Sequence, residues 1–205
     1  MKTRLFSIVV LSIVALAFSA MTPISTLNIG DKAPMTDYKM VSTDKQELSL
    51  DDLKGENGLL AIFTCNTCPF VIAWEHRYPN LAKIAESTGI GIVLINPNEA
   101  KRQGADSLEE MIKHGEEADY GDIPYVVDAN HQLADAFGAT KTPDVFLFNN
   151  VEDELVLAYK GAMDNSGGRG EMTDDFLSRA IRAMVTGKQI DPETTKAIGC
   201  SIKRL

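Results

Sequence analysis

Apolar residues along this chain fall into runs with two different periods. Leu59 to Phe63 and Ile90 to Asn96 are nearly continuous apolar runs of strand length, the mark of strands covered on both faces. Between them Phe70, Ala73, Trp74, Leu81, Ile84 and Ala85 recur at helical spacing. This predicts a helix from Pro69 to about Ser87, kinked at Pro79 and stopped by Gly89. Upstream, Tyr38 to Val41 and Glu47 to Leu50 read as a short hairpin, and Leu50 to Gly55 as one helical turn closed by the glycine.

Downstream, Ser107 can cap a helix carrying Leu108, Met111 and Ile112. Tyr125 to Val127 reads as a short strand, and Asn130 to Phe137 as a short helix ended by Gly138. Val145 to Phe148 and Leu155 to Tyr159 are β-rich runs joined by the acidic turn Asn149 to Glu154, an antiparallel hairpin by pattern. Asn165 to Gly170 is glycine-rich and reads as loose. Thr173 is then the expected cap of a helix whose shared face is Phe176, Leu177, Ala180, Ile181, Met184 and Val185, closed by Gly187. The order of elements implies an α/β fold, a mixed central sheet with helices on both faces.

The first twenty residues break this pattern. Met1 to Arg4 is basic, Leu5 to Phe18 is almost wholly apolar, and Ser19-Ala20 offers small residues for cleavage, so residues 1–20 read as a secretory signal peptide. The apolar run is shorter than the roughly 20 residues a spanning helix needs. The expected division is therefore a leader (1–20), one domain (21–187) and a C-terminal tail (188–205), in a protein exported to the periplasm or secreted, depending on the cell. Without Lys2 and Arg4 the 20 basic residues become 18 against 29 acidic, a net charge of −11, which argues against nucleic acid as a partner.

Three cysteines in an exported chain cannot all pair internally. Cys65 and Cys68 stand at a C-x-x-C spacing between the strand ending at Phe63 and the helix starting at Pro69. Unpaired backbone N–H groups and the helix dipole favour a thiolate there, the reactive form of cysteine. No second C-x-x-C or close His pair completes a zinc site. Pro69 stands where haem attachment would need His. A redox dithiol is the expected chemistry, weighed against a static buried disulfide.

Several stretches resemble the redoxin group of the thioredoxin-like superfamily, which includes peroxiredoxins and exported thioredoxin-like reductases. Gly30-Asp31-Lys32-Ala33-Pro34 and Leu48 to Gly55 resemble its opening segments. Cys65-Asn66-Thr67-Cys68-Pro69-Phe70-Val71 resembles the active-site turn of a peroxiredoxin-like subgroup. Gly138 to Phe148 resembles the loop carrying the cis-proline. The resemblance covers about Asn28 to Gly187 and implies a thioredoxin fold and thiol-disulfide exchange without an organic or metal cofactor. Its expected partners are protein thiols and disulfides and a reducing partner such as a membrane thiol reductase.

By the thioredoxin likeness Cys65 is the exposed nucleophile and Cys68 the more buried resolving thiol. Thr142 and Pro143 are substrate-binding, with Pro143 in the cis position although X-Pro bonds are mostly trans. Against the peroxiredoxin pattern P-x-x-x-[ST]-x-x-C, Cys68 falls at the peroxide-reacting position, but Ala61 and Cys65 replace the proline and the hydroxyl residue. Thiol peroxidase activity through Cys68 is the alternative, and copper-binding assembly a minor one. Cys200 is a candidate third thiol, either a distant resolving cysteine or an inert one. Trp74 and Phe70 read as helix core, while Glu75, His76, His114 and His131 read as solvated.

Overall fold

The computed structural model describes residues 26–168 and 170–205, so the leader expected over residues 1–20 lies outside the described residues. The chain begins with a hairpin, β1 (Met40–Ser42) and β2 (Glu47–Leu48), and a one-turn helix, α1 (Leu50–Leu53). β3 (Gly58–Phe63), α2 (Pro69–Trp74), a 3-10 turn (Glu75–Arg77), α3 (Tyr78–Ser87) and β4 (Ile90–Asn96) follow. Next come α4 (Leu108–Glu117), β5 (Tyr125–Val127), α5 (Gln132–Phe137), β6 (Lys141–Thr142), β7 (Asp144–Val151) and β8 (Glu154–Gly161). α6 (Phe176–Val185) and β9 (Cys200–Ser201) complete the order.

β2-β1-β5-β4 and β3-β7-β8 form two ribbons that meet along β4 and β3, where the Thr64 N–H donates to Ile95 O at 2.8 Å. β4 and β5 are parallel, whereas β3, β7 and β8 are antiparallel neighbours. Every residue of β3 is buried. Leu60 and Ile62 face a core shared with Trp74, Tyr78 and Leu81, while Leu59, Ala61 and Phe63 face a second core with Phe137, Phe146 and Phe148. Two cores, one on each face, are why the strand shows no alternation. In the second core Phe63, Phe137 and Phe146 meet edge to face with centroids 5.3–5.6 Å apart, the geometry ring quadrupoles favour.

Several element boundaries move for identifiable reasons. The helix expected over Pro69 to Ser87 is two helices, broken at Glu75–Arg77 rather than at Pro79 itself. Pro79 has no N–H to offer Glu75 O, and its ring crowds that carbonyl, so the break falls one turn upstream. Gly55 does not close α1, which ends in extended backbone at Lys54. Its need is spatial, because a Cβ there would fall 2.3 Å from Gly89 O. The helix expected from Asn130 starts at Gln132, since Asn130 and His131 both take positive φ.

Asp175, not Thr173, caps α6: its carboxylate accepts from Ser178 N at 3.1 Å, while Thr173 Oγ1 accepts from Asn165 Nδ2 at 2.6 Å. That bond, with Ser166 N donating to Asp164 Oδ1 at 2.7 Å, also fixes part of a segment whose composition reads as loose. From Lys188 onward the chain lies back on the domain, and β9 pairs antiparallel with β6 so that Cys200 stands opposite Thr142.

Candidate functional site

The two-sided burial of β3 carries the chain to Thr64 and releases it at the edge of both cores. Cys65 follows there, and Cys68 is the N-cap of α2, with Pro69 at the first helical position where no N–H is needed. Both sulfurs reach Thr142. Cys65 Sγ lies 3.2 Å from Thr142 Oγ1, and the Cys68 thiol donates to Thr142 O at 3.0 Å. The Thr142–Pro143 bond is cis, as the resemblance implied. The structure therefore brings Cys65, Cys68, Thr142 and Cys200 together, with the three thiols unbonded to one another.

Cys65 is not the exposed member of the pair. Cys65 and Cys68 are 2% and 3% exposed, because β9 and Val71 close over them, whereas Cys200 is partly exposed. Their ionisation preferences diverge. Cys68 is held well below the usual thiol range by the Cys65 thiol donating to it, against its burial, with further help from Cys200 and from the Val71 N–H. Cys65 is pushed up by the same contact with Cys68, then by burial and the Asp106 charge. Thr142 O opposes ionisation of Cys68, since a carbonyl oxygen at 3.0 Å suits a thiol and not a thiolate. Converging N–H and S–H donors favour the thiolate at Cys68 over Cys65, against that one acceptor. Cys200 is pushed up by burial and then by its contact with Cys68.

A buried polar network behind the turn holds this arrangement. Asp106, wholly buried, accepts from Asn66 N and Asn96 Nδ2 at 2.9 Å each and from Asn98 Nδ2 at 3.1 Å. Tyr125 OH donates to Asn66 Oδ1 at 2.8 Å and accepts from Asn96 Nδ2 at 2.9 Å. Asn66, one of the two residues between the cysteines, is thus tied to the end of β4, the start of β5 and the loop before α4. Asn98 extends the network to the C-terminal segment, accepting from Lys203 N at 2.8 Å. Nothing in the sequence marks Asn98 and Asp106 as buried. Asn98 and Asp106 sit in a Pro-Asn and Gly-Ala-Asp loop whose composition reads as solvated; the one available signal is Asn96 at the end of an apolar run.

Other residues land differently from their sequence reading. His114 and His131 are not free surface groups: His114 Nε2 is 2.8 Å from Glu75 Oε2, and His131 Nδ1 is 2.8 Å from Asp135 Oδ2. Tyr120 OH donates to the same Glu75 carboxylate at 2.9 Å, so Glu75 is half-buried rather than solvated. Its place in the 3-10 turn aims it across at α4. Trp74 is core, as its spacing implied, with its Nε1 donating to Asp164 at 2.9 Å, and Phe70 packs against the cysteine cluster. Among the described residues no three His, Cys, Asp or Glu side chains are grouped as metal ligands.

The chain is also similar to known proteins. The chain is 27% identical over 190 residues to thiol-disulfide oxidoreductase ResA of Bacillus subtilis (strain 168), a match covering 86% of this chain and 93% of ResA. A conserved protein of Geobacillus kaustophilus superimposes with a TM-score of 0.78 at 31% identity, over 86% of this chain and 92% of its own. A protein of Sinorhizobium meliloti 1021 gives the same TM-score at 29% identity, over 88% of this chain and 97% of its own. A family model described as Redoxin matches residues 28–169, which contain the C-x-x-C turn and the Thr142–Pro143 loop. With well over half of its length matched, this chain belongs to the redoxin family, and its sheet is that of the thioredoxin-like fold.

Proposed function

We propose that this chain is an exported thiol-disulfide oxidoreductase, whose Cys65–Cys68 pair alternates between dithiol and disulfide in exchange with protein substrates. The observation that carries the reading is the placing of two unlike thiols, one disposed to ionise and one to keep its proton, on either side of Thr142. ResA, similar over most of its length, is named for the same activity.

The steps follow from that asymmetry. The Cys68 thiolate attacks one sulfur of a substrate disulfide, and the other sulfur leaves as a thiolate. Cys65 gives its proton to that leaving thiolate and attacks Cys68 Sγ, which breaks the mixed disulfide, releases the reduced substrate and leaves a Cys65–Cys68 disulfide. This assigns the attack to Cys68 in place of the thioredoxin-derived expectation for Cys65. Thr142, buried and paired with β9, holds the two sulfurs from within rather than meeting the substrate chain that the resemblance implied for Thr142 and Pro143. A reducing partner outside the cytoplasm, such as a membrane thiol reductase, then restores the dithiol. Export rests on the leader pattern in residues 1–20, followed by the single domain and its C-terminal segment.

The second reading, a thiol peroxidase, is favoured by one observation, the lowered Cys68 thiol at the peroxide-reacting position. Insulin-disulfide reduction and hydrogen peroxide consumption, measured on the purified chain and on Cys65→Ser and Cys68→Ser, separate the two. Insulin reduction lost in both variants supports exchange. Peroxide consumption that survives Cys65→Ser, without insulin reduction in the unaltered chain, supports the peroxidase.

A further inference from the structure

Cys200 takes no part in the two-cysteine cycle, yet the chain is built to hold it there. β9 is two residues long and would not stay paired alone, but it is fixed on both sides. Upstream, Thr195 N donates to Lys160 O at 3.0 Å and Thr195 Oγ1 accepts from Ala162 N at 2.9 Å. Downstream, Ile202 is buried and its N–H donates to Thr140 O at 3.1 Å, while Lys203 N donates to the buried Asn98 at 2.8 Å. Between these anchors Gly199 runs so close to the cis peptide that a Cβ would fall 2.3 Å from Thr142 O and 3.1 Å from Pro143 N. The close approach puts Cys200 in register with Thr142, the residue that touches both other sulfurs.

Cys68 consequently has two thiols beside it, the buried Cys65 and the partly exposed Cys200. A partner thiolate must approach a disulfide along its S–S axis, and of the three cysteines Cys65 and Cys68, at 2% and 3% exposure, offer the least surface for one. Cys200, partly exposed, offers more. We infer that Cys200 is a third redox thiol, which receives the disulfide from Cys65–Cys68 as an internal Cys68–Cys200 bond and presents it to a reducing dithiol at the surface. This rests on the reading of Cys65 and Cys68 as an exchanging pair.

The transfer balances within the protein. Cys200 gives up its proton, and its thiolate attacks Cys68 Sγ. The Cys65–Cys68 bond breaks, and Cys65 leaves as a thiolate and takes up a proton, with no change in overall oxidation state. A reducing dithiol then attacks Cys200 Sγ and Cys68 leaves as the thiolate. The dithiol's second thiol resolves the mixed disulfide, so that two electrons enter the chain. Sulfurs held in contact exchange far faster than sulfurs meeting by diffusion, because their effective concentration is fixed by the fold.

The test is to treat purified Cys65→Ser with oxidised glutathione, block free thiols with an alkylating agent and map the disulfides by mass spectrometry. The expected product is an intramolecular Cys68–Cys200 bond with two glutathiones released per disulfide consumed. A stable glutathione adduct on Cys68, with Cys200 still alkylated, would overturn the inference. A second variant, Gly199→Ala in the chain with all three cysteines, pushes β9 off Thr142. It should cut the Cys68–Cys200 bond by about tenfold or more while Cys65–Cys68 still forms; an unchanged yield also counts against the proposal. Because glutathione replaces the protein substrate, a chain inactive toward insulin would sink the functional reading while the Cys68–Cys200 bond stayed measurable.

Discussion

The two ends of β7 are built in opposite ways. At its far end the strand turns into β8 through Glu152 and Asp153, both at positive φ (52° and 70°), the requirement of a two-residue turn that matches the strand twist. That end is exposed and its turn is built from adjacent residues, to which the distant Lys54 adds a bond to Asp153 O at 2.9 Å. At its near end Asp144 follows Thr142–Pro143 and is 7% exposed, under a site that four distant segments assemble. One end tolerates a poor local fit because solvent compensates. The other has no solvent, so each polar group there depends on a partner from elsewhere in the chain.

The largest expected effect falls at the site. Cys68→Ser should reduce insulin-disulfide exchange to the uncatalysed background without lowering the urea midpoint; retained turnover would remove Cys68 from the attacking role. Next is Asp106→Ala, which strands the donors on Asn66, Asn96 and Asn98. At about 1–3 kcal/mol per unsatisfied buried group, only partly additive, it should lower unfolding free energy by roughly 4 kcal/mol, measured in urea. A loss within 1 kcal/mol would mean that water enters and satisfies the network.

A pH effect of intermediate size belongs to Asp144. Burial pushes its carboxyl up to about 7, against help from the Thr140 N–H. With a folded value above the unfolded one, its contribution is fully present below about pH 4 and is lost as pH rises through about 7. Between pH 5 and pH 8 the chain should lose roughly 2–3 kcal/mol from this group, and Asp144→Asn should flatten that part of the profile. An identical slope in the variant would assign the titration elsewhere. The smallest effect belongs to the other end of β7. Glu152→Asn places a residue suited to positive φ in the turn and should raise stability by about 0.5 kcal/mol, leaving exchange unchanged.

The contrast also explains what could be read in advance. β4 and β5 fall on their expected residues, and β3 gains only Gly58, because a run of apolar residues bounded by turns carries its own length. The break ahead of Pro79 is displaced by one turn, since a proline's clash acts on the carbonyl four residues back. The cap of α6 shifts from Thr173 to Asp175 because Asn165, eight residues upstream, takes the threonine hydroxyl. At the site the C-x-x-C turn and the Thr142–Pro143 loop were legible as motifs. Asp106 and the asparagines around it were not, since a polar loop looks the same whether it is solvated or folded over a turn.

By itself the sequence determined the chemistry and the scaffold: a strand ending at Phe63, a helix beginning at Pro69, two thiols between them, and the membership of the family that shares them. Periodicity and spacing are properties of neighbouring residues, and neighbours are enough to decide these. Only the tertiary structure decided how each thiol is buried and what stands beside it. The difference between Cys65 and Cys68 arises first from their contact with each other and then from burial, from Asp106 and from donors on α2 and β9, which the spacing of the two cysteines does not place. Electrostatics and exposure depend on distance through space, so Cys200, more than 130 residues from Cys68 along the chain, is its neighbour in the fold.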